Sequence, residues 1–148
     1  MGTYPVEKKQ LVFSVCGLKK TGKTTLVSGV CEILTQKGYL VAVIKHDGHD
    51  FEGDVPGTDS WKHMQAGAYG TAVFSPHRFL IQKKCEEPQI DMLTGMFPEA
   101  DIILIEGLKD EDFPKYLCSE PSARAREIPA LADRIEKLYK DLQWRTNV

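Results

Sequence analysis

The sequence predicts an α/β domain with a mostly parallel sheet flanked by helices. Three observations predict it. Two apolar, β-rich runs are separated by a helical run, a third apolar run ends in a carboxylate, and one glycine-rich loop joins the first strand to the first helix. The loop is Cys16-Gly17-Leu18-Lys19-Lys20-Thr21-Gly22-Lys23-Thr24-Thr25. It fits the pattern G-x-x-x-x-G-K-T, the P-loop. Its glycines let successive backbone N–H groups face one concavity, which suits phosphate oxygens. The loop opens a helix, whose positive end favours an anion. Lys23 has the reach and charge for the outer phosphates, and the Thr24 hydroxyl suits Mg²⁺. The fold class is therefore the P-loop NTPase fold, with a β-hairpin insertion.

Each element has a local reason. Residues 1–9 are polar and expected to fray. Gln10 to Cys16 is apolar and β-rich, as a buried strand is. Leu26, Val30, Ile33 and Leu34 recur at helical spacing, and Lys37-Gly38 closes the helix. Tyr39 to Lys45 is the second strand, predicted to pair in parallel with the first through a right-handed crossover.

Thr58, Asp59 and Ser60 are capping residues for a short helix that ends at Gly67. Gly70 to Ser75 and Arg78 to Gln82 flank Pro76-His77 as a hairpin. Pro88 reads as a helix start, with Ile90, Leu93 and Phe97 at helical spacing until Pro98. Asp101 to Glu106 is a third buried strand, broken by Gly107. Phe113 to Cys118 reads as a short strand and Glu120 to Glu127 as a polar connection. Leu131, Ile135, Leu138 and Leu142 mark a closing amphipathic helix.

The 148 residues suit one nucleotide-binding domain, residues 1–148, without repeat or linker. Hydrophobic content of 42% and charged content of 27% are those of a globular protein. A net charge of −2 gives no sign of a nucleic-acid-binding surface. No apolar run is long enough to span a membrane, and the first ten residues lack a secretory core. Cys16, Cys31, Cys85 and Cys118 have no metal-type spacing, so they read as free thiols in a reducing cytoplasm.

Other residues carry chemistry beside the loop. Glu106 ends an apolar strand, where a carboxylate can hold Mg²⁺ through water or orient an attacking water. His46, Asp47, His49 and Asp50 cluster after the second strand. They could line the active site, bind a transition metal, or form a solvated loop. Asp54, Asp59 and Lys62 read as turn and cap chemistry, His63 and His77 as structural or exposed, and Lys109 as a surface lysine. No Asn-Lys-x-Asp segment is available to read a guanine, because Asn147 is the single asparagine.

The order G-L-K-K-T-G-K-T-T-L, V-I-K-H-D-G-H-D, P-G-T-D-S-W-K-H-M-Q-A-G-A and I-L-I-E-G-L-K resembles the MobB family of molybdopterin-guanine dinucleotide biosynthesis adaptors. The resemblance covers about residues 10 to 118. It implies a P-loop GTP-binding protein with weak, Mg²⁺-dependent GTPase activity. Such a protein is a cytoplasmic homodimer that assists the guanylyltransferase enzyme attaching GMP to molybdopterin. Carried over by position, the nucleotide site is Gly17, Thr21, Gly22, Lys23, Thr24 and Thr25. The second strand adds Lys45, His46, His49 and Asp50. The helix entry adds Pro56, Gly57, Asp59 and Ser60, and the third strand Glu106, Gly107 and Lys109. Glu106, Asp50 and His46 are the catalytic candidates, and Thr24 with Glu106 the metal candidates. After Cys118 the chain departs from the family pattern, which carries a further strand and loop before the last helix. Two other classes fit the residues alone. A small-molecule kinase would use Arg124 and Arg126 as a lid, and a metallochaperone NTPase or binding module would use the His/Asp cluster.

Overall fold

The computed structural model describes residues 8–18, 21–118 and 124–146. In chain order the elements are β1 (Leu11–Gly17), α1 (Lys23–Gln36), β2 (Val41–Lys45), α2 (Asp59–Gln65), β3 (Gly70–Ser75), β4 (Arg78–Lys83), α3 (Ile90–Thr94), β5 (Ile102–Glu106), β6 (Lys115–Cys118) and α4 (Arg124–Thr146). Contacts group them into two units. The segment Asp47–Gln89 forms the second, and the chain on either side of it forms the first.

The first unit holds a four-stranded parallel sheet in the order β2-β5-β1-β6. β1 and β2 run parallel as predicted, but they are not neighbours. β5 lies between them, pairing Val15 with Glu106 on one side and Lys45 with Glu106 on the other. The reason is burial. All five residues of β5 are buried, so the strand takes an inner place, while β2 has exposed Val43 and Lys45 and takes the edge.

One face of the sheet packs on α1 and α4. Leu26, Val27, Val30 and Leu34 of α1 and Leu131, Ala132 and Ile135 of α4 join Phe13, Val15, Ile102 and Leu104 in one core. The opposite face carries Ile44, Ile103 and Ile105. α1 and α4 approach closely where Gly29 lies, since a Cβ there would meet the Ile128 side chain at 2.7 Å.

Three local expectations need correction. Lys8 and Lys9 do not fray: Lys8 pairs with Asp101, and the Lys9 backbone exchanges hydrogen bonds with the Gln143 amide. α3 stops at Thr94 rather than running to Pro98, because Gly95 and Met96 turn back onto Asp91 and Leu93. The segment read as a connection up to Glu127 is helical from Arg124, so α4 has Pro129 inside it. A proline this near a helix start forfeits one backbone hydrogen bond. Side chains before it hold the turn, with Tyr116 donating to Glu127 at 2.7 Å and Ile128 against α1.

The second unit contains α2 and the antiparallel pair β3–β4, which form the predicted hairpin around Pro76-His77. Phe74 faces Phe79 across the hairpin, and they are 84% and 71% exposed.

Candidate functional site

The site of the first unit lies at the carboxyl ends of β2, β5 and β1, where α1 begins. Gly17 ends β1 with φ 150° opposite Cys118, and a Cβ there would meet the Cys118 carbonyl at 2.7 Å. Gly22 caps α1 in the left-handed region at φ 85°. No side chain caps α1, and its first turn has no acid. The first intrahelical bond runs from Leu26 N to Gly22 O, so the N–H groups of Lys23, Thr24 and Thr25 precede it. That is an arrangement suited to an anion. Lys19 and Lys20 lie outside the described residues.

Three side chains shape the loop. Thr21 is buried and its hydroxyl donates to the Leu18 carbonyl at 2.6 Å. Lys23 folds back so that Nζ donates to the Gly17 carbonyl at 2.9 Å. Thr24 donates its hydroxyl to Oε1 of Glu106 at 2.6 Å. Thr25 is exposed on the first turn of α1.

Glu106 is buried to 7% exposure at the end of β5. Lys45 Nζ stands 4.0 Å from its Oε1. His46 continues the β2 ladder by donating its N–H to the Glu106 carbonyl at 3.0 Å, and its ring lies against Gly107. The Thr24 hydroxyl and the Glu106 carboxylate, in hydrogen-bond contact, are oxygen ligands of the kind that a hard cation such as Mg²⁺ would take.

The turn after Glu106 is fastened from two sides. The Gly107 N–H donates to the Val15 carbonyl at 2.8 Å. Its carbonyl accepts from the buried Ser14 hydroxyl and, at 3.3 Å, from the Cys16 thiol. Lys109 is exposed, and its carbonyl accepts from Lys115 Nζ, which also binds the Glu111 carbonyl at 2.6 Å. Neither Ser14 nor Lys115 is singled out by sequence reasoning. The signal for Ser14 is a lone hydroxyl in an apolar strand; a lysine in a short strand gives no signal at all.

The remaining candidates belong to the second unit. His49 and Asp50 are exposed, and the His49 N–H donates to Asp47 Oδ1 at 3.1 Å in a local turn. Asp59 is exposed in the first turn of α2. The capping prediction there is revised. Thr58 is the N-cap but makes no side-chain cap bond, and its hydroxyl donates to the Val55 carbonyl at 2.7 Å. Asp54 organises the turn instead, accepting from the Val55 N–H and the Ser60 hydroxyl, both at 3.1 Å. Among the described residues no group of three His, Cys, Asp or Glu gathers to hold a metal. Nor is any helix among them long and apolar enough to cross a membrane.

Comparison with known proteins agrees with this geometry. The family model "Molybdopterin guanine dinucleotide synthesis protein B", MobB, matches residues 12–136, so the match runs past Cys118 into α4. A molybdopterin-guanine dinucleotide biosynthesis adapter protein of Escherichia coli is 34% identical over 119 residues, 77% of this chain and 68% of that protein. Its counterpart in Haemophilus influenzae is 32% identical over 109 residues, 72% of this chain. The match spans only 61% of the Haemophilus protein's length. The crystal structure of Bacillus subtilis MobB superposes with a TM-score of 0.63 at 28% identity, covering 74% of this chain and 68% of that one. A MobB homologue of Bacillus stearothermophilus shares the fold, with a TM-score of 0.65 at 19% identity over 85% of this chain and 98% of that one. With a P-loop, a Thr24–Glu106 pair and a family match across most of its length, the chain belongs to the MobB family.

Proposed function

We propose that the chain binds GTP with Mg²⁺, hydrolyses it slowly, and serves in the cytoplasm as an adapter for the guanylyltransferase enzyme that attaches GMP to molybdopterin. The observation that carries this reading is the contact of Thr24 with Glu106, which joins the phosphate loop to the carboxylate strand at one point. Family membership supplies the biosynthetic setting.

The chain's own residues divide the work. Backbone N–H groups at the start of α1 hold phosphate oxygens, and Lys23 exchanges its Gly17 carbonyl for a phosphate oxygen. Thr24 and Glu106 hold the cation. Bound Mg²⁺ neutralises charge on the phosphates. Glu106 orients water, and Lys45 keeps the local charge balanced. His46 backs the turn at Gly107. By the family pattern Lys109 is a further nucleotide contact, and His49, Asp50 and Asp59 are the candidates that the second unit holds.

The working form is a homodimer. Support comes from the hairpin, where Phe74, Phe79, Leu80 and Ile81 are all more than half exposed. A two-stranded sheet is marginal alone in water, and a second copy would cover it.

Competition of labelled GTP with unlabelled GTP, ATP and inorganic triphosphate, with and without Mg²⁺, tests the nucleotide reading. Phosphate contacts are common to all three, so only base contacts discriminate. The expected preference for GTP over ATP is modest, about tenfold or less, because a net hydrogen bond contributes about 0.5–1.5 kcal/mol. Absence of binding removes the reading. Equal competition by triphosphate limits it to phosphate recognition.

A further inference from the structure

We propose that Ser14 is a positioning residue, whose buried hydroxyl grips the Gly107 carbonyl and so holds the Glu106 carboxylate in register with Thr24. The inference rests on the reading of Glu106 as the cation-holding carboxylate.

Ser14 is an anomaly in β1. Its neighbours Phe13 and Val15 are fully buried and apolar, and Ser14 is itself 0% exposed. A buried hydroxyl needs a partner; this one donates to the Gly107 carbonyl, just past the end of β5, and also lies 3.2 Å from the Cys16 thiol, which bonds the same carbonyl. Together Ser14, Val15 and Cys16 engage both polar groups of the Gly107 peptide.

The grip falls where the backbone is least content. Gly107 has φ 114° and Leu108 has φ 59°, which puts a non-glycine residue in the left-handed region immediately afterwards. Such conformations persist only where surrounding contacts over-determine them. Glu106 is the residue just before this corner, and its Oε1 meets Thr24 at 2.6 Å. A corner free to relax would carry the carboxylate away from that contact. The Ser14 hydroxyl therefore acts through Glu106 without touching nucleotide or cation.

The test uses the full chain with Ser14→Ala and Ser14→Thr. Amide exchange at Gly107 reads the corner directly, without ligand. It should quicken several-fold in Ser14→Ala and stay slow in Ser14→Thr. Mg²⁺ titration of GTP hydrolysis reads the consequence. Ser14→Ala should raise the Mg²⁺ concentration for half-maximal rate roughly threefold to tenfold, the span of one net hydrogen bond. Mg²⁺-free nucleotide affinity should not change. In a Glu106→Gln background, where nucleotide binding persists, Ser14→Ala should leave nucleotide affinity unchanged with or without Mg²⁺. Ser14→Cys, similar in size with a weaker donor, should fall between and serves if Ser14→Ala does not fold. Unchanged exchange in Ser14→Ala, an unchanged Mg²⁺ requirement, or an affinity lowered by Ser14→Ala in the Glu106→Gln background, overturns the proposal. A wild-type chain without Mg²⁺-dependent nucleotide binding overturns the functional reading instead, and exchange at Gly107 then decides whether Ser14 holds the corner.

Discussion

The Thr24 hydroxyl donates to Glu106 Oε1 across 2.6 Å, although the two residues are 82 apart in the chain. Thr24 lies in the first turn of α1 and Glu106 ends β5, so this bond fixes where helix and sheet meet. Glu106 is also the residue that both Val15 and Lys45 face in the sheet register. The ends of β2 and β5 are thereby level, and β1 runs two residues further, to Gly17, into the loop.

Replacing Glu106 by Gln should preserve shape and remove the charge that a cation or a water needs. Nucleotide binding should persist, while hydrolysis and Mg²⁺ sensitivity are lost. A hydrolysis rate equal to wild type would leave Glu106 as a strand end only.

Lys23→Ala removes a charge-assisted contact worth about 1.5–3 kcal/mol, so nucleotide affinity should fall roughly tenfold or more. Only the Gly17 carbonyl loses a partner in the free protein, and the melting curve should stay close to wild type. Isothermal titration with a parallel melt measures both. Unaltered affinity would take the loop out of the account.

Gly17→Ala should act on the fold as well as the site. The new Cβ would lie 2.7 Å from the Cys118 carbonyl and 2.9 Å from its Cβ, at φ 150°. β6 pairs at this position and must shift away, at a cost of about 1–3 kcal/mol. A melting temperature lowered by several degrees is expected. A normal melt would show that β6 yields freely.

Alkaline stability should depend on two tyrosines. Burial first, and then a hydrogen bond to Glu136, pushes the Tyr39 hydroxyl up to about 12. Burial and Asp101 do the same for Tyr139, also to about 12. Both values lie above the ordinary 10.0, so the folded state favours the protonated form. The stabilisation is fully present below pH 10 and is lost as pH rises through about 12. Urea midpoints should hold up to about pH 10 and then decline, and Tyr39→Phe with Tyr139→Phe should make the decline shallower. An unchanged slope in the double variant would assign the decline to other groups.

What could be read from the sequence was what short stretches encode. The loop at Gly17–Thr25 is a spacing of residue types, and the hairpin at Pro76-His77 is turn chemistry between β-rich runs. Each is complete within a few residues. The position of β5 between β1 and β2 was not legible, because strand order is decided by burial across the whole sheet. Ser14 was passed over for the same reason, since its partner Gly107 is 93 residues away. The start of α4 was missed because Pro129 and the charges before it argue locally for a connection. Contacts of Glu127 and Ile128 with β6 and α1 outweigh that local preference.

The sheet order also has a consequence for synthesis. β1 leaves the ribosome first among the strands, yet both its neighbours, β5 and β6, come late, and the Cys16–Gly107 contact spans 91 residues. α4 then supplies Leu131, Ala132 and Ile135 to the core. During translation Phe13 and Val15 have no strand beside them until β5 emerges, so the nascent chain must carry β1 unpaired while the 91 residues from Cys16 to Gly107 are added. At 5–20 residues per second that wait is about 5–20 seconds, long enough for a chaperone to matter.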